Sequence, residues 1–93
     1  ADPKFLPAQL NLIALQIEKS QYDEAEKLVT RALEANPDSA ALLVDQAVIY
    51  QRKGDLENAV KTLQKALQVD AENVQASDLR SELVRTKSLV LPV

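Results

Sequence analysis

Carboxylates are the side chains with most scope for chemistry in this sequence. They come in close pairs: Asp23 with Glu24, Asp55 with Glu57, and Asp70 with Glu72. Paired carboxylates carry general acid–base chemistry when their surroundings push the two pKa values apart. Each of these pairs, however, sits at a helix start or break, where a carboxylate caps free N–H groups and favours the positive end of the helix dipole. Capping is their expected role. The chain has no Cys, His, Met or Trp, which removes thiol nucleophiles, imidazole bases and most transition-metal ligands together. A calcium loop needs several oxygen ligands at alternate positions around a glycine, and Gly54-Asp55-Leu56-Glu57 offers too few. Gly54 is the one glycine in the chain, so a glycine-rich phosphate cradle is excluded as well. Tyr22 and Tyr50 fall in core-type slots, with their hydroxyls reaching water. No catalytic residue, no metal and no cofactor is expected.

What remains is a binding surface, and the elements that would hold it are helical. The chain has 93 residues, 46% of them hydrophobic and 27% charged, a balance that fits one folded domain and excludes a disordered tail. With one glycine and four prolines it lacks the turn residues of hairpin and barrel folds. No apolar stretch is long enough to span a bilayer. Eleven basic and fourteen acidic residues give a formal charge of −3; the signs are interleaved, and no nucleic-acid footprint follows. Arg80, Arg85 and Lys87 cluster late in the chain, where cations complement a helix C-terminus. A sequence without Met is expected to be a processed product or a part of a longer protein. The absence of cysteine fits oxidising and reducing compartments alike, so the compartment is left open, with a lean to the cytoplasm.

The sequence repeats after 34 residues: Tyr22-Asp23-Glu24-Ala25 falls on Leu56-Glu57-Asn58-Ala59, and Arg31-Ala32-Leu33-Glu34 falls on Lys65-Ala66-Leu67-Gln68. Each period holds two helical patterns, and the spacing predicts helices over about 7–19, 23–35, 39–53, 56–69 and 73–87. Pro37 stops the second, Asp38 and Ser39 can cap the third, and Gly54-Asp55 supplies a left-handed stop followed by an N-cap. The second helix of each period is apolar on one side only. The first is apolar nearly all round: Leu6, Leu10, Ile13 and Ile17 oppose Phe5, Ala8, Leu12 and Leu15, and Leu43, Val44, Ala47, Val48 and Tyr50 have Leu42 and Ile49 behind them. A helix of that kind is contacted from several directions, as in a stack of helix pairs.

Tyr50, Gly54-Asp55-Leu56-Glu57-Asn58-Ala59 and Ala66-Leu67-Gln68-Val69-Asp70 resemble the tetratricopeptide repeat, a 34-residue helix-turn-helix unit. Leu12, Tyr22-Asp23-Glu24-Ala25, Ala32-Leu33 and Asn36-Pro37 carry the same resemblance in the first period. It implies an all-α, right-handed solenoid of two helix-turn-helix units plus a C-terminal capping helix, five helices in one domain. Repeat one would cover about 6–39, repeat two about 40–73, the capping helix about 73–87 and an apolar tail 88–93. Ala25, Ala32, Ala47, Ala59 and Ala66 are the small residues that let helix axes approach. Ser20 stands where the turn glycine is usual, Gln9 and Gln16 where large aromatics are usual, and Ala71 where a closing proline is usual.

The resemblance also implies a peptide-binding inner surface on the first helix of each repeat. Its positions map to Leu10, Asn11, Ala14 and Ile17, then to Val44, Asp45, Val48, Gln51 and Arg52; Glu18 and Ala41 lie beside them. Relatives that clamp a C-terminal carboxylate use Lys, Asn and Arg at slots that here carry Leu10, Ala14, Asp45, Gln75 and Leu79, which contradicts that specificity. An apolar or amphipathic segment fits better, with Asp45 and Arg52 giving orientation. The expected function is a non-catalytic protein–protein interaction module. The alternatives are a self-assembling scaffold unit and a regulatory segment of a larger enzyme. Stacked repeats need about three units and polar caps, so a homo-oligomer is expected at high concentration, formed through Leu6 and Leu10 at one end and Leu89, Val90 and Leu91 at the other.

Overall fold

The structure, a computed structural model, describes the backbone of residues 6–90 and the side chains of residues 6–86. Among the described residues there are five helices and no strand: α1 (Leu6–Glu18), α2 (Tyr22–Ala35), α3 (Ala40–Arg52), α4 (Leu56–Val69) and α5 (Val74–Val90). The first four lie close to their expected ranges. The last runs further than expected, to Val90, because nothing between Thr86 and Val90 breaks a helix and a proline restricts only the residue directly before it. The described part of the apolar tail is therefore helical, and Leu91, Pro92 and Val93 lie outside the described residues, as does Phe5.

The breaks are built by the residues the sequence puts there. Ser39 Oγ accepts from the Leu42 N–H at 3.3 Å, and Asp55 Oδ1 accepts from the Asn58 N–H at 3.2 Å. Asn73, not among the expected caps, accepts from the Ala76 N–H at 2.9 Å and opens α5 in the same way. Each satisfies a donor that the first helical turn leaves free. At the end of α3 the Asp55 N–H returns to the Tyr50 carbonyl (2.8 Å) and the Gly54 N–H to the Gln51 carbonyl (3.0 Å), with Gly54 at φ +84°. That is a Schellman stop.

Packing divides the interior into two clusters joined by α3. Ile13, Ala25, Val29, Ala32, Leu42 and Ile49 form one. Leu43, Val44, Ala47, Ala59, Leu63, Ala66, Ala76 and Leu83 form the other, and Leu33 packs against both. Helix α3 therefore buries Leu42 and Ile49 on one side and Leu43, Val44 and Ala47 on the other, as its all-round apolar pattern requires. The small residues are fully enclosed: Ala25, Ala47, Ala59, Ala66 and Ala76 have no exposed surface. Full burial of a side chain such as Leu63 contributes about 1.5–3 kcal/mol, and here it depends on the alanines that let α4 approach.

Helix α3 packs along every other helix, α1 also along α2, and α4 also along α5, while the backbones of α2 and α4 do not come close. The first helices of the pairs thus form one row, α1–α3–α5, while α2 and α4 stand apart behind it. A row that closes on one side and spreads on the other is concave on the closed side. The described chain measures 49 × 29 × 18 Å, and its least extent is about two helix diameters, which fits two layers better than a round bundle.

Candidate functional site

The residues singled out from the sequence separate by depth on the α1–α3 row. Asn11 and Ala14 on α1 are exposed, and so is Arg52 at the end of α3. Asp45, Val48 and Gln51 are half-buried on α3, and Leu10 and Ile17 are half-buried on α1, where they pack against the Ile13 cluster. Val44 differs from its expected place. It is only 7% exposed and belongs to the Leu63 cluster, so it forms the floor under the row and not its surface. The physical reason is the contact of α3 with both α4 and α5, which covers the flank on which Val44 lies.

Asp45 is the electrostatic feature of this face. Burial pushes its carboxyl up to about 6. Among the described residues no hydrogen bond or ion pair reaches it. The residues one turn away on its own helix, Ala41, Leu42, Val48 and Ile49, are all apolar, and the described part of α1 carries one charged residue, Glu18, which is an acid. Such an arrangement can receive a cation or a donor.

A second hollow, which the sequence did not indicate, lies along α2. A cleft of about 770 Å³ is lined by Asp23, Glu26, Lys27, Thr30, Arg31, Glu34 and Lys53. Lys53, in the turn after α3, donates to Asp23 Oδ1 at 2.8 Å and to Glu26 on α2. The two carboxylates hold the Lys53 ammonium well above its ordinary range, and Lys53 holds the Asp23 carboxyl below its own. Asp23 and Glu26 lie thirty and twenty-seven residues away in sequence, so no local pattern signals the clasp. No group of acidic residues able to hold a metal occurs among the described residues.

The self-association residues also separate. Leu6 and Leu10 pack against the Ile13 cluster, whereas Leu12 and Leu15 on the other stripe of α1 are 46% and 44% exposed. The side chains of Leu89 and Val90, and Leu91 as a whole, lie outside the described residues. No helix among the described residues is long and apolar enough to cross a membrane.

Against known protein families, the tetratricopeptide-repeat model matches the chain over residues 1–43 and over residues 16–83.

Proposed function

The chain belongs to the tetratricopeptide-repeat family, whose repeats serve as protein–protein interaction modules, and we propose that its partner is an apolar or amphipathic peptide segment laid on the concave α1–α3 row. The observation that carries this reading is the graded surface of that row: aliphatic Ile17 and Val48 half-buried, Ala14 exposed, and Asn11, Gln51 and Arg52 supplying a polar edge. Aliphatic contacts of this kind give affinity, and a few polar groups fix direction.

A random peptide library displayed on phage and panned against the chain tests the reading. Selected peptides should lose binding to Val48→Asn and retain it with Lys61→Asn on the outer face of α4. Equal binding to both variants would place the peptides elsewhere.

A second reading has its own observation. Leu12 and Leu15 leave an apolar stripe of α1 open, and a stripe of that kind favours association. Under this reading the chain pairs with another copy through α1 at high concentration, and Leu12 and Leu15 take the place first given to Leu6 and Leu10. Sedimentation of Leu15→Lys should then show a lighter species than the parent chain, whereas a parent chain already monomeric at high micromolar concentration removes this reading.

A further inference from the structure

The groove reading leaves the chemistry of the peptide open, and the charge on the concave row narrows it. We infer that the segment held there is basic as well as amphipathic, with one lysine or arginine seated on the Asp45 carboxylate and aliphatic side chains on Val48 and Ile17. This rests on the proposed groove and adds a specificity to it.

Asp45 is half-buried on a helix whose neighbouring positions are apolar. A carboxylate so placed loses hydration and gains nothing in return unless a cation or donor meets it. Its own chain supplies none among the described residues. Arg52 lies seven residues further along α3, about 10 Å along the axis, and is exposed. The described part of α1 has no cation, and neither Arg80 nor Arg85 of α5 forms an ion pair with Asp45. The lifted carboxyl pKa has burial as its cause and no offsetting charge, in agreement with the geometry. An asparagine or leucine would cost the free protein less at this position, so the charge is a liability that a bound cation would relieve.

The rest of the row has the same sign. Stepping by the 34-residue period from the α3 positions reaches Asp78 and Glu82 on α5 and Glu18 on α1, all exposed. With Asp45 these acids outnumber Arg52 and Arg85, the cations at the equivalent positions. A basic segment would therefore be drawn to the row and oriented there, and an acidic one repelled.

The library selection tests this directly, because its sequences report composition. Peptides that lose binding to Val48→Asn should share a lysine or arginine among aliphatic residues. In the tightest of them, replacing that residue by norleucine should weaken binding roughly tenfold to a hundredfold. Asp45→Asn should cause a loss of similar size, and the two changes together should cost little more than either alone. Peptides that depend on Val48 but show no basic preference, or additive losses in that cycle, would overturn the inference and leave the groove standing. Peptides indifferent to Val48→Asn, or no selection at all, would overturn the groove and the inference with it.

Discussion

Ser20 and Gly54 stand one repeat apart and share a left-handed backbone, at φ 63° and 84°. Their hydrogen bonds match as well. The Gln21 N–H returns to the Gln16 carbonyl at 2.8 Å and the Ser20 N–H to the Ile17 carbonyl at 3.0 Å, as the Asp55 and Gly54 N–H groups do one period later. The turn geometry is therefore conserved between the repeats although the residue is not, and Ser20 carries a strain that Gly54 avoids.

Ser20→Gly is expected to stabilise the chain by up to about 1 kcal/mol, and Gly54→Ala to destabilise it by about 1 kcal/mol. A Cβ on Gly54 would meet nothing within 4 Å, so the second cost is purely conformational. Urea denaturation of both variants checks the pair; a stabilised Gly54→Ala would contradict the left-handed stop.

Enlarging the enclosed alanines should be among the costlier changes. Ala59→Leu or Ala66→Leu pushes α4 away from α3 and should cost about 1–3 kcal/mol, because both sites are fully buried. Lys61→Leu, on the exposed side of α4, should cost less than about 0.5 kcal/mol. Melting temperatures of the three variants decide the matter.

Val44→Glu and Val48→Glu should part company. The sequence alone put both on an open surface, where a charge is cheap. Val44 is now a core residue, so its glutamate is expected to cost more than about 2 kcal/mol or to prevent folding. Val48→Glu should keep the far-ultraviolet helical signal and most of the stability. Similar stability losses in the two would mean that Val48 is core as well.

Asp45 should make stability fall as pH rises. Its folded pKa is about 6 against an ordinary 3.8, so the unfolded chain releases this proton first. The contribution of the protonated group is complete below about pH 4 and is lost as pH climbs through about 6. Asp45→Asn should then stabilise most at pH 7 and least near pH 4. Asp23 works in the opposite sense, since its pKa is lowered by Lys53, but that contribution is lost only as pH falls through the acid range below 4. Denaturation midpoints at pH 4, 5.5 and 7 separate the two; an advantage for Asp45→Asn that does not grow with pH would refute the assignment.

Much of this architecture was legible because its signals are local. Ser39, Gly54 and Asp55 announce a start, a stop and a start within their own few residues, and the alanines at matching places in the period mark where helices close on one another. The all-round apolar pattern of α3 required burial on two sides, and both are filled. Which of its residues stay open was not legible. Val44 and Val48 lie one turn apart with the same side chain, and only the approach of α4 and α5 tells floor from surface. The Lys53 clasp was hidden for a related reason: an exposed lysine in a turn says nothing about carboxylates on an earlier helix. At Asn73 the cap was readable in principle, since an asparagine directly before an apolar position is an ordinary N-cap signal.

Because the backbones of α2 and α4 stay apart, the mechanical continuity of this chain passes mainly through α3. Among the described residues its two buried sides form the main apolar seam between the halves, joined by Leu33 of α2, which packs against both clusters, and by the Lys53 clasp on Asp23 and Glu26. Fraying of α1 can leave the Leu63 cluster intact, and fraying of α5 can leave Ile13 and its neighbours intact, but opening α3 dismantles both together. Amide protons in the middle of α3 therefore exchange through whole-chain unfolding, whereas those of α1 and α5 exchange through smaller, independent openings.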